Sequence, residues 1–214
     1  MNLANDGKRT LDLRRCPVRT ALTAVAICVV LGGVARSAPP ATSNEPSGMD
    51  RVTPLILEKN EGEKRAWRPM EGAVGWNAQP GPFIFKVNRH NGGSSHLVFV
   101  TEDVPPGAKI DRHRHPGSDE IIFLQNGLAR VSLGDRVREV HAGATVFAPA
   151  NTWIEVTNIG TDAIHGVFVF SAPGFDDFMR AESVPEGQKI TPLTKAEDEQ
   201  IMRQHAHVVI YAEP

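Results

Sequence analysis

The sequence predicts an all-β fold, a sandwich or barrel followed by short C-terminal helices. Between residues 95 and 171, short apolar segments recur at an even spacing, separated by glycine, proline, asparagine and aspartate. Within residues 129–133 the apolar side chains alternate with Arg130 and Ser132, the pattern of a strand with one buried face. Many short strands joined by regular turns are typical of sandwiches and barrels, and the double-sheet jelly roll is one such architecture.

The predicted strands follow one another with turn-forming residues between them. Asn126-Gly127 is a strong hairpin signal between two of them. Residues 52–57 are expected to form a further short strand in an otherwise irregular piece packed on the outside of the barrel. Trp67 and Trp76 in that piece are expected to pack in the core or to line a ligand site. The main strands are predicted at 82–88, 95–101, 120–124, 129–133, 136–140, 145–148, 152–158 and 163–171.

Two helices are predicted near the C-terminus. Residues 175–180 favour a short helix after Pro173-Gly174. Thr194 and Glu197 form a capping box, which predicts a second helix through about Gln204. Residues 208–211 are expected to form a last strand. The barrel with its N-terminal extension is therefore placed at 51–182, and a helix and tail packed on it at 183–214.

The first 37 residues have the composition of a secretory signal peptide. Basic residues are followed by an uncharged apolar run at 21–34 and by small residues before Pro39. The run is short for a membrane span, although an uncleaved anchor is the alternative. Residues 38–50 are expected to be a disordered linker. We therefore expect an exported protein, periplasmic or secreted, and both cysteines, Cys16 and Cys28, fall in the leader, so no disulfide is expected in the mature chain.

The charge of the remaining chain argues against some partners. Residues 39–214 carry 17 basic and 23 acidic residues, a net charge of −6. A negative surface does not favour nucleic acid or anionic membranes. A small organic molecule is the expected partner, together with a second copy of the chain in a homodimer.

A histidine pair followed by a carboxylate predicts a metal site. His113 and His115 are two residues apart, so on a strand they share a face with Cα atoms roughly 6.5–7 Å apart. A turn at 116–119 brings Glu120 back toward them. Two histidines and a carboxylate with open positions suit Fe(II), and also Zn, Mn or Ni. The alternative is a basic surface loop in which both histidines are solvated.

The segment resembles the first motif of the cupin superfamily: Gly, five residues, His-x-His, three or four residues, Glu, six residues, Gly. All five fixed positions are present, as Gly107, His113, His115, Glu120 and Gly127. The resemblance implies a cupin double-stranded β-helix, a jelly-roll barrel that holds a divalent metal in its mouth. The residues after the barrel look like those of small quercetinase-like monocupins, which implies dioxygenase chemistry on an enol or phenol.

The second cupin motif is incomplete. Gly143, Pro149 and Asn158 match, and Asn151 replaces a glycine, which is tolerable because asparagine also adopts left-handed backbone. The histidine of that motif is Ile154, which is not a ligand. Three readings stay open: a three-ligand site, a fourth ligand from elsewhere, or a lost metal. The candidate fourth ligands are His165, His141 and His96, whereas His90, His205 and His207 are expected to be solvated.

Two classes of function follow from these residues. In the first, the protein is an enzyme whose metal acts as a Lewis acid or binds O₂, and Glu120 also takes a proton from a substrate hydroxyl. Isomerase or decarboxylase chemistry is an alternative within this class. In the second, the domain binds a small molecule without catalysis, with or without a metal.

Overall fold

Two antiparallel sheets form the barrel of the computed structural model, which describes residues 52–74 and 81–213. The predicted signal peptide, linker and Trp76 lie outside these residues. In chain order the strands are β1 (Glu63–Trp67), β2 (Pro82–Val87), β3 (Val98–Val104), β4 (Lys109–Arg114), β5 (Glu120–Asn126), β6 (Leu128–Leu133), β7 (Arg136–His141), β8 (Thr145–Ala148), β9 (Ile154–Asn158), β10 (Ile164–Phe170), β11 (Ser183–Pro185) and β12 (Ile210–Tyr211). The larger sheet has the order β11-β1-β2-β3-β10-β5-β8, and the smaller has the order β12-β4-β9-β6-β7.

The strands form because alternate side chains are apolar and can be buried together. In β9, for example, Ile154, Val156 and Asn158 are buried while the residues between them are partly exposed. The same alternation in β2, β3, β5 and β10 produces one continuous core between the two sheets. The predicted all-β jelly-roll fold is therefore confirmed.

In residues 52–74 and 81–213, two helices and one 3₁₀ turn complete the architecture. Helix α1 (Phe175–Ala181) buries Phe175 and Phe178, and helix α2 (Lys195–His205) starts at the predicted capping box. The Thr194 side chain accepts a hydrogen bond from the Glu197 amide, and Glu197 accepts one from the Thr194 amide. A 3₁₀ turn spans Arg89–Asn91. No helix in residues 52–74 and 81–213 is long and apolar enough to cross a membrane.

Three details of the sequence prediction are wrong. Asn126-Gly127 does not close a hairpin, because β5 belongs to the larger sheet and β6 to the smaller, so this turn carries the chain between sheets. Residues 52–57 form no strand and are exposed. The strand predicted at 95–101 lies three residues later, as β3.

Two strands were missed by the sequence prediction, and they pair with each other. β1 lies between β2 and β11, with Trp67 opposite Ser183. Both are short and polar, so neither has the alternation that identifies a strand in sequence. In the chain, β1 comes before the central strands and β11 comes after them, so this edge of the larger sheet combines two distant segments.

Candidate metal centre

The structure brings His113, His115 and Glu120 together inside the barrel. His113 lies on β4, His115 follows that strand, and Glu120 begins β5 after the predicted turn. Their exposed fractions are 4 %, 3 % and 2 %. One potential ligand atom from each lies within 4.8 Å of the others, the geometry of a group that could hold a metal. The alternative of two solvated histidines is wrong because both rings are buried.

The hydrogen bonds of the two rings fix their tautomers. His113 Nδ1 lies 2.7 Å from the carbonyl oxygen of Asp111, and His115 Nδ1 lies 2.9 Å from that of Val208. A carbonyl oxygen only accepts, so each Nδ1 carries the proton and donates it. Each Nε2 therefore keeps its lone pair. Metal-binding histidines in proteins are oriented in this way by their second ring nitrogen.

Two inward-facing atoms of this group are buried and unpartnered. His115 Nε2 and Glu120 Oε2 have no hydrogen bond in the described part of the chain. They lie 3.7 Å apart, which is too far for a hydrogen bond between them. Burying unsatisfied polar atoms costs free energy, so their presence here calls for a group that bonds to both. A divalent cation fits this donor set of two imidazole nitrogens and a carboxylate.

Burial shifts the pKa of each residue in this group. It lowers the pKa of His113, and it lowers that of His115 to about 3, with His113 nearby as a smaller cause. It raises the pKa of Glu120 to about 8. Without a cation, the group therefore consists at neutral pH of two neutral rings and a protonated carboxyl. Charge from a bound cation would favour the carboxylate form of Glu120.

The position of the missing cupin histidine is apolar and adjacent to the group. Ile154 on β9 pairs directly with His113 on β4 and is fully buried. Directly opposite residues of an antiparallel pair point to the same face, with Cβ atoms about 4.5–5.5 Å apart. Ile154 therefore contributes an apolar wall where the second cupin motif has a ligand.

None of the three candidate fourth ligands reaches this group. His165 lies on the outer side of β10, where its Nδ1 contacts Asp103. It lines two other clefts and does not belong to the group of His113, His115 and Glu120. His141 is exposed at the end of β7, and His96 lies in the connection before β3. The described residues therefore supply three ligands at this position.

Of the three histidines that were expected to be solvated, His90 and His207 are exposed and His205 is partly buried. His90 Nε2 lies 2.7 Å from Asp177 Oδ1 and 3.5 Å from Asp176 Oδ2. His205 Nδ1 donates to the carbonyl oxygen of Ile201 at 2.8 Å. His207 is exposed at the turn after α2.

The second cupin motif has a structural role here. Asn151 has a φ of 65°, which makes it the one non-glycine residue with positive φ in the described part of the chain. The prediction that asparagine replaces glycine at a left-handed position is confirmed. The buried Asn158 side chain donates to the carbonyl oxygens of Val104 and Asp162 at 2.8 and 2.9 Å. It accepts from the Gly160 amide, so it ties β9 to the end of β3 and to the loop before β10.

A small cavity of about 60 Å³ adjoins two of the three residues, His113 and Glu120. Aromatic side chains supply much of its wall, and Glu102 is a second carboxylate in it. Tyr211 lies across from His113, with ring centroids 5.5 Å apart, and burial holds the pKa of its phenol well above the usual value. Other aromatic residues on the wall are Trp67, Phe168, Phe170 and Phe175.

Sequence reasoning missed the roles of Glu102, Tyr211 and Val208. Glu102 carried a signal, since it occupies an inward position of the alternating segment 98–104. Tyr211 and Val208 carried none, because they reach the site through the pairing of β12 with β4. Trp67 was expected to pack in the core or to line a site, and it does both.

The fold and this group define a class, a β-barrel with a buried histidine and carboxylate site at one end. Residues 100–170 match the family model described as "Cupin domain". Over these residues the chain is similar to cupin domains. No curated protein matches the sequence.

Solved structures with a similar arrangement include three of stated origin. A predicted oxalate decarboxylase from Thermotoga maritima is 17% identical, with a TM-score of 0.47, over 56% of this chain and 100% of that one. A conserved protein of unknown function from Streptococcus pyogenes is 22% identical, with a TM-score of 0.36, over 42% and 73%. The cupin domain of Schizosaccharomyces pombe Cnp3 is 12% identical, with a TM-score of 0.40, over 49% and 69%.

Proposed function

We propose that the protein holds one divalent metal ion, Fe, Mn, Ni or Zn, through His113, His115 and Glu120. Beside this ion it acts on a small organic molecule, in the manner of a dioxygenase. The observation that carries the proposal is the pair of buried, unpartnered atoms His115 Nε2 and Glu120 Oε2. A domain without a cation there would bury both at a cost of roughly 1–3 kcal/mol each.

The surroundings of the group suit this chemistry. A metal bound by three protein ligands keeps open positions and would supply Lewis-acid or redox chemistry. Phe170 and Phe175 contact the ring of His115, with centroids 5.0 and 4.5 Å away, and keep water from that side. Glu120 is the proposed metal ligand and also a proton acceptor for a substrate hydroxyl. The cavity is small, so only the reacting end of a substrate fits beside these residues.

Metal analysis of chelated and reloaded protein tests the proposal. Wild type should bind about one Ni(II), Mn(II) or Fe(II) per chain. His113→Ala, His115→Ala and Glu120→Ala should each lose stoichiometric metal, because only two ligands would remain. His165→Ala is the matched control, since that histidine lies outside the group, and it should bind metal as wild type does. Wild type that binds no divalent metal near neutral pH would refute the proposal.

The buried Ile154 favours a second candidate, a non-catalytic domain that binds a small molecule and has lost its metal. A working four-ligand cupin site would have a histidine here, and this chain has a fully buried aliphatic side chain. The metal analysis described above distinguishes the two candidates. The second predicts wild type without metal, and Ile154→His that acquires it.

The location of the protein is part of the proposal. We propose export to the periplasm or the medium, supported by the composition of residues 1–37. Mass spectrometry of the exported protein should give an N-terminus near Ala38, and an intact Met1 on the soluble exported form would contradict this. The net charge of residues 39–214 supports a protein that does not bind nucleic acid. No part of the chain is proposed to stay in the membrane once the leader has been removed.

The outer face beside β8 supports the proposed homodimer. β8 is an edge strand of the larger sheet, and Phe147 on it is 52 % exposed and pairs with the exposed Ile121. Edge strands with apolar exposed faces are where sheets associate. Light scattering after size exclusion should give twice the chain mass, and Phe147→Asp should give one chain mass. A wild-type monomer at tens of micromolar would contradict the proposal.

A further inference from the structure

Glu102 is a carboxylate on the inward face of a core strand. On β3 the inward positions alternate, and Val98, Val100 and Val104 at these positions are each at most 1 % exposed. Glu102 occupies the same face. An acid among core valines lowers stability unless its oxygens find partners, so its side chain needs a reason to be there.

One oxygen of Glu102 is held and the other is free. The indole Nε1 of Trp67 donates to Glu102 Oε1 at 2.7 Å. The Trp67 ring is itself fixed against Phe83, with centroids 4.5 Å apart. Oε2 has no hydrogen bond to any residue that the structure describes. Since an indole only donates, a proton on this carboxyl would lie on Oε2.

Glu102 lies where two cavities meet. The inner cavity of about 60 Å³ contains His113 and Glu120 in its wall, and an outer cleft of about 620 Å³ opens beside it. Four residues line both spaces: Trp67, Glu102, Ile110 and Tyr211. A molecule that passes from the outer cleft to the inner cavity therefore passes Glu102.

We propose that Glu102 is a further catalytic residue, a second proton acceptor beside Glu120, for a small ligand with an ionisable hydroxyl, such as an enol or a phenol. This inference rests on the proposed function, because the metal site sets where the ligand's reacting end lies. In the proton transfer the ligand O–H bond breaks, its electron pair stays on the ligand oxygen, and the proton moves to Glu102 Oε2. The body of the ligand occupies the outer cleft.

The charges around Glu102 fit this role. Burial raises its pKa to about 7, against the hydrogen bond from Trp67, which lowers it, and Asp103 adds to the increase. The carboxylate is therefore largely ionised at pH 8 and still has a high proton affinity. Glu120 would have a lower proton affinity while it holds a cation. The other charged or titratable groups in the two spaces are Arg68, Glu71, Lys109, Asp111, His113, Glu182 and Tyr211.

Proton counting by calorimetry tests the proposal. The Ni(II)-loaded protein is titrated with acetohydroxamic acid, a five-heavy-atom probe with one ionisable O–H, at pH 8 in two buffers of different ionisation enthalpy. Glu102→Gln keeps the size of the side chain but takes up no proton, so it should release up to one more proton to the buffer than wild type. It should also bind the probe about tenfold more weakly, the effect of losing a charged hydrogen bond. Its Ni(II) content should equal that of wild type.

Two further variants complete the test. Glu139→Gln removes an exposed carboxylate on β7, outside both spaces, and is the matched control, with proton count and affinity unchanged. Trp67→Phe keeps an aromatic ring but removes the donor to Glu102. Loss of this hydrogen bond raises the pKa of Glu102, so a larger fraction of the carboxyl is protonated before the probe binds. The proton release should therefore lie between those of wild type and Glu102→Gln.

Other outcomes would overturn the proposal. Equal proton counts in wild type and Glu102→Gln would show that Glu102 accepts no proton, and loss of Ni(II) from Glu102→Gln would make it part of the metal site. Ni(II)-loaded wild type that does not bind the probe would refute the ligand class and leave the metal site intact. Wild type that takes up no Ni(II) would refute the proposed function, and this inference with it, before any probe is added.

Discussion

Replacing Ile154 with histidine should strengthen metal binding and weaken the metal-free fold. The position is fully buried and lies directly opposite His113 in the β4–β9 pairing. A histidine here would point to the same face as His113 and add a fourth nitrogen to the group. A tenfold gain in metal affinity corresponds to about 1.4 kcal/mol, and we expect at least this gain.

The metal-free variant should be less stable for a separate reason. The substitution replaces an aliphatic side chain that is 0 % exposed with a ring that carries two polar nitrogens. Burying such groups without partners costs about 1–3 kcal/mol in mutational data. The melting temperature without metal should therefore fall, and added Ni(II) should raise it by more than in wild type.

Val156→His is the matched control for this experiment. Val156 lies on the same face of β9, is 2 % exposed, and pairs with Ile110 rather than with a metal-site histidine. It should lose similar stability without any gain in affinity. Competitive titration with a fluorescent chelator gives the affinities, and thermal melts give the stabilities. An Ile154→His protein with wild-type affinity would refute the argument that this position adjoins the metal.

Three further results are expected. Chelated wild type should stay folded by circular dichroism, because the core does not depend on the metal. Ni(II) should raise its melting temperature, because it binds the folded chain. An unfolded chelated chain would contradict the first expectation. Gly127→Ala should destabilise the fold by about 2 kcal/mol or more in urea titrations, because φ is +91° and the new Cβ would lie 2.9 Å from Ile164 Cα. The control Gly134→Ala, at φ +57° with no atom near the new Cβ, should lose only about 1 kcal/mol of stability. Equal losses in the two variants would refute the steric argument. Burial alone would raise the pKa of Glu63, but hydrogen bonds and charge from Arg180 hold it below 4.5, so Glu63→Gln should destabilise by about 1 kcal/mol at pH 7. That loss should fade as the pH drops below 4.5, since the carboxylate contributes stability only while ionised, and a loss that does not depend on pH would count against the pair.

Local signals explain most of what the sequence predicted correctly. Alternating side chains identified the strands, and the Thr194 capping box identified α2, because both patterns depend on neighbouring residues. The grouping of His113, His115 and Glu120 was also local, since a strand and a turn are enough to bring them together. The left-handed Asn151 could be inferred from backbone chemistry alone.

The errors arose where distant residues decide the structure. Asn126-Gly127 has the composition of a hairpin turn, but β10 and β8 are the partners of β5, and Ile164 packs against Gly127. β1 and β11 are short and polar, and they are strands because β1 pairs with β2 and β11 pairs with β1. His165 was a candidate ligand because sequence does not say which face of β10 is inward. The register with β3 and β5 places it outside.

The rings of His113 and His115 are oriented by main-chain atoms, the carbonyl oxygens of Asp111 and Val208. Every residue type offers the same carbonyl, so single substitutions at 111 or 208 leave both acceptors in place. The orientation of the ligands is thus robust to a change of side chain at either position. What it does not tolerate is a change in chain path. An insertion or deletion between α2 and β12 would move the acceptor of His115 while every side chain of the group stayed the same.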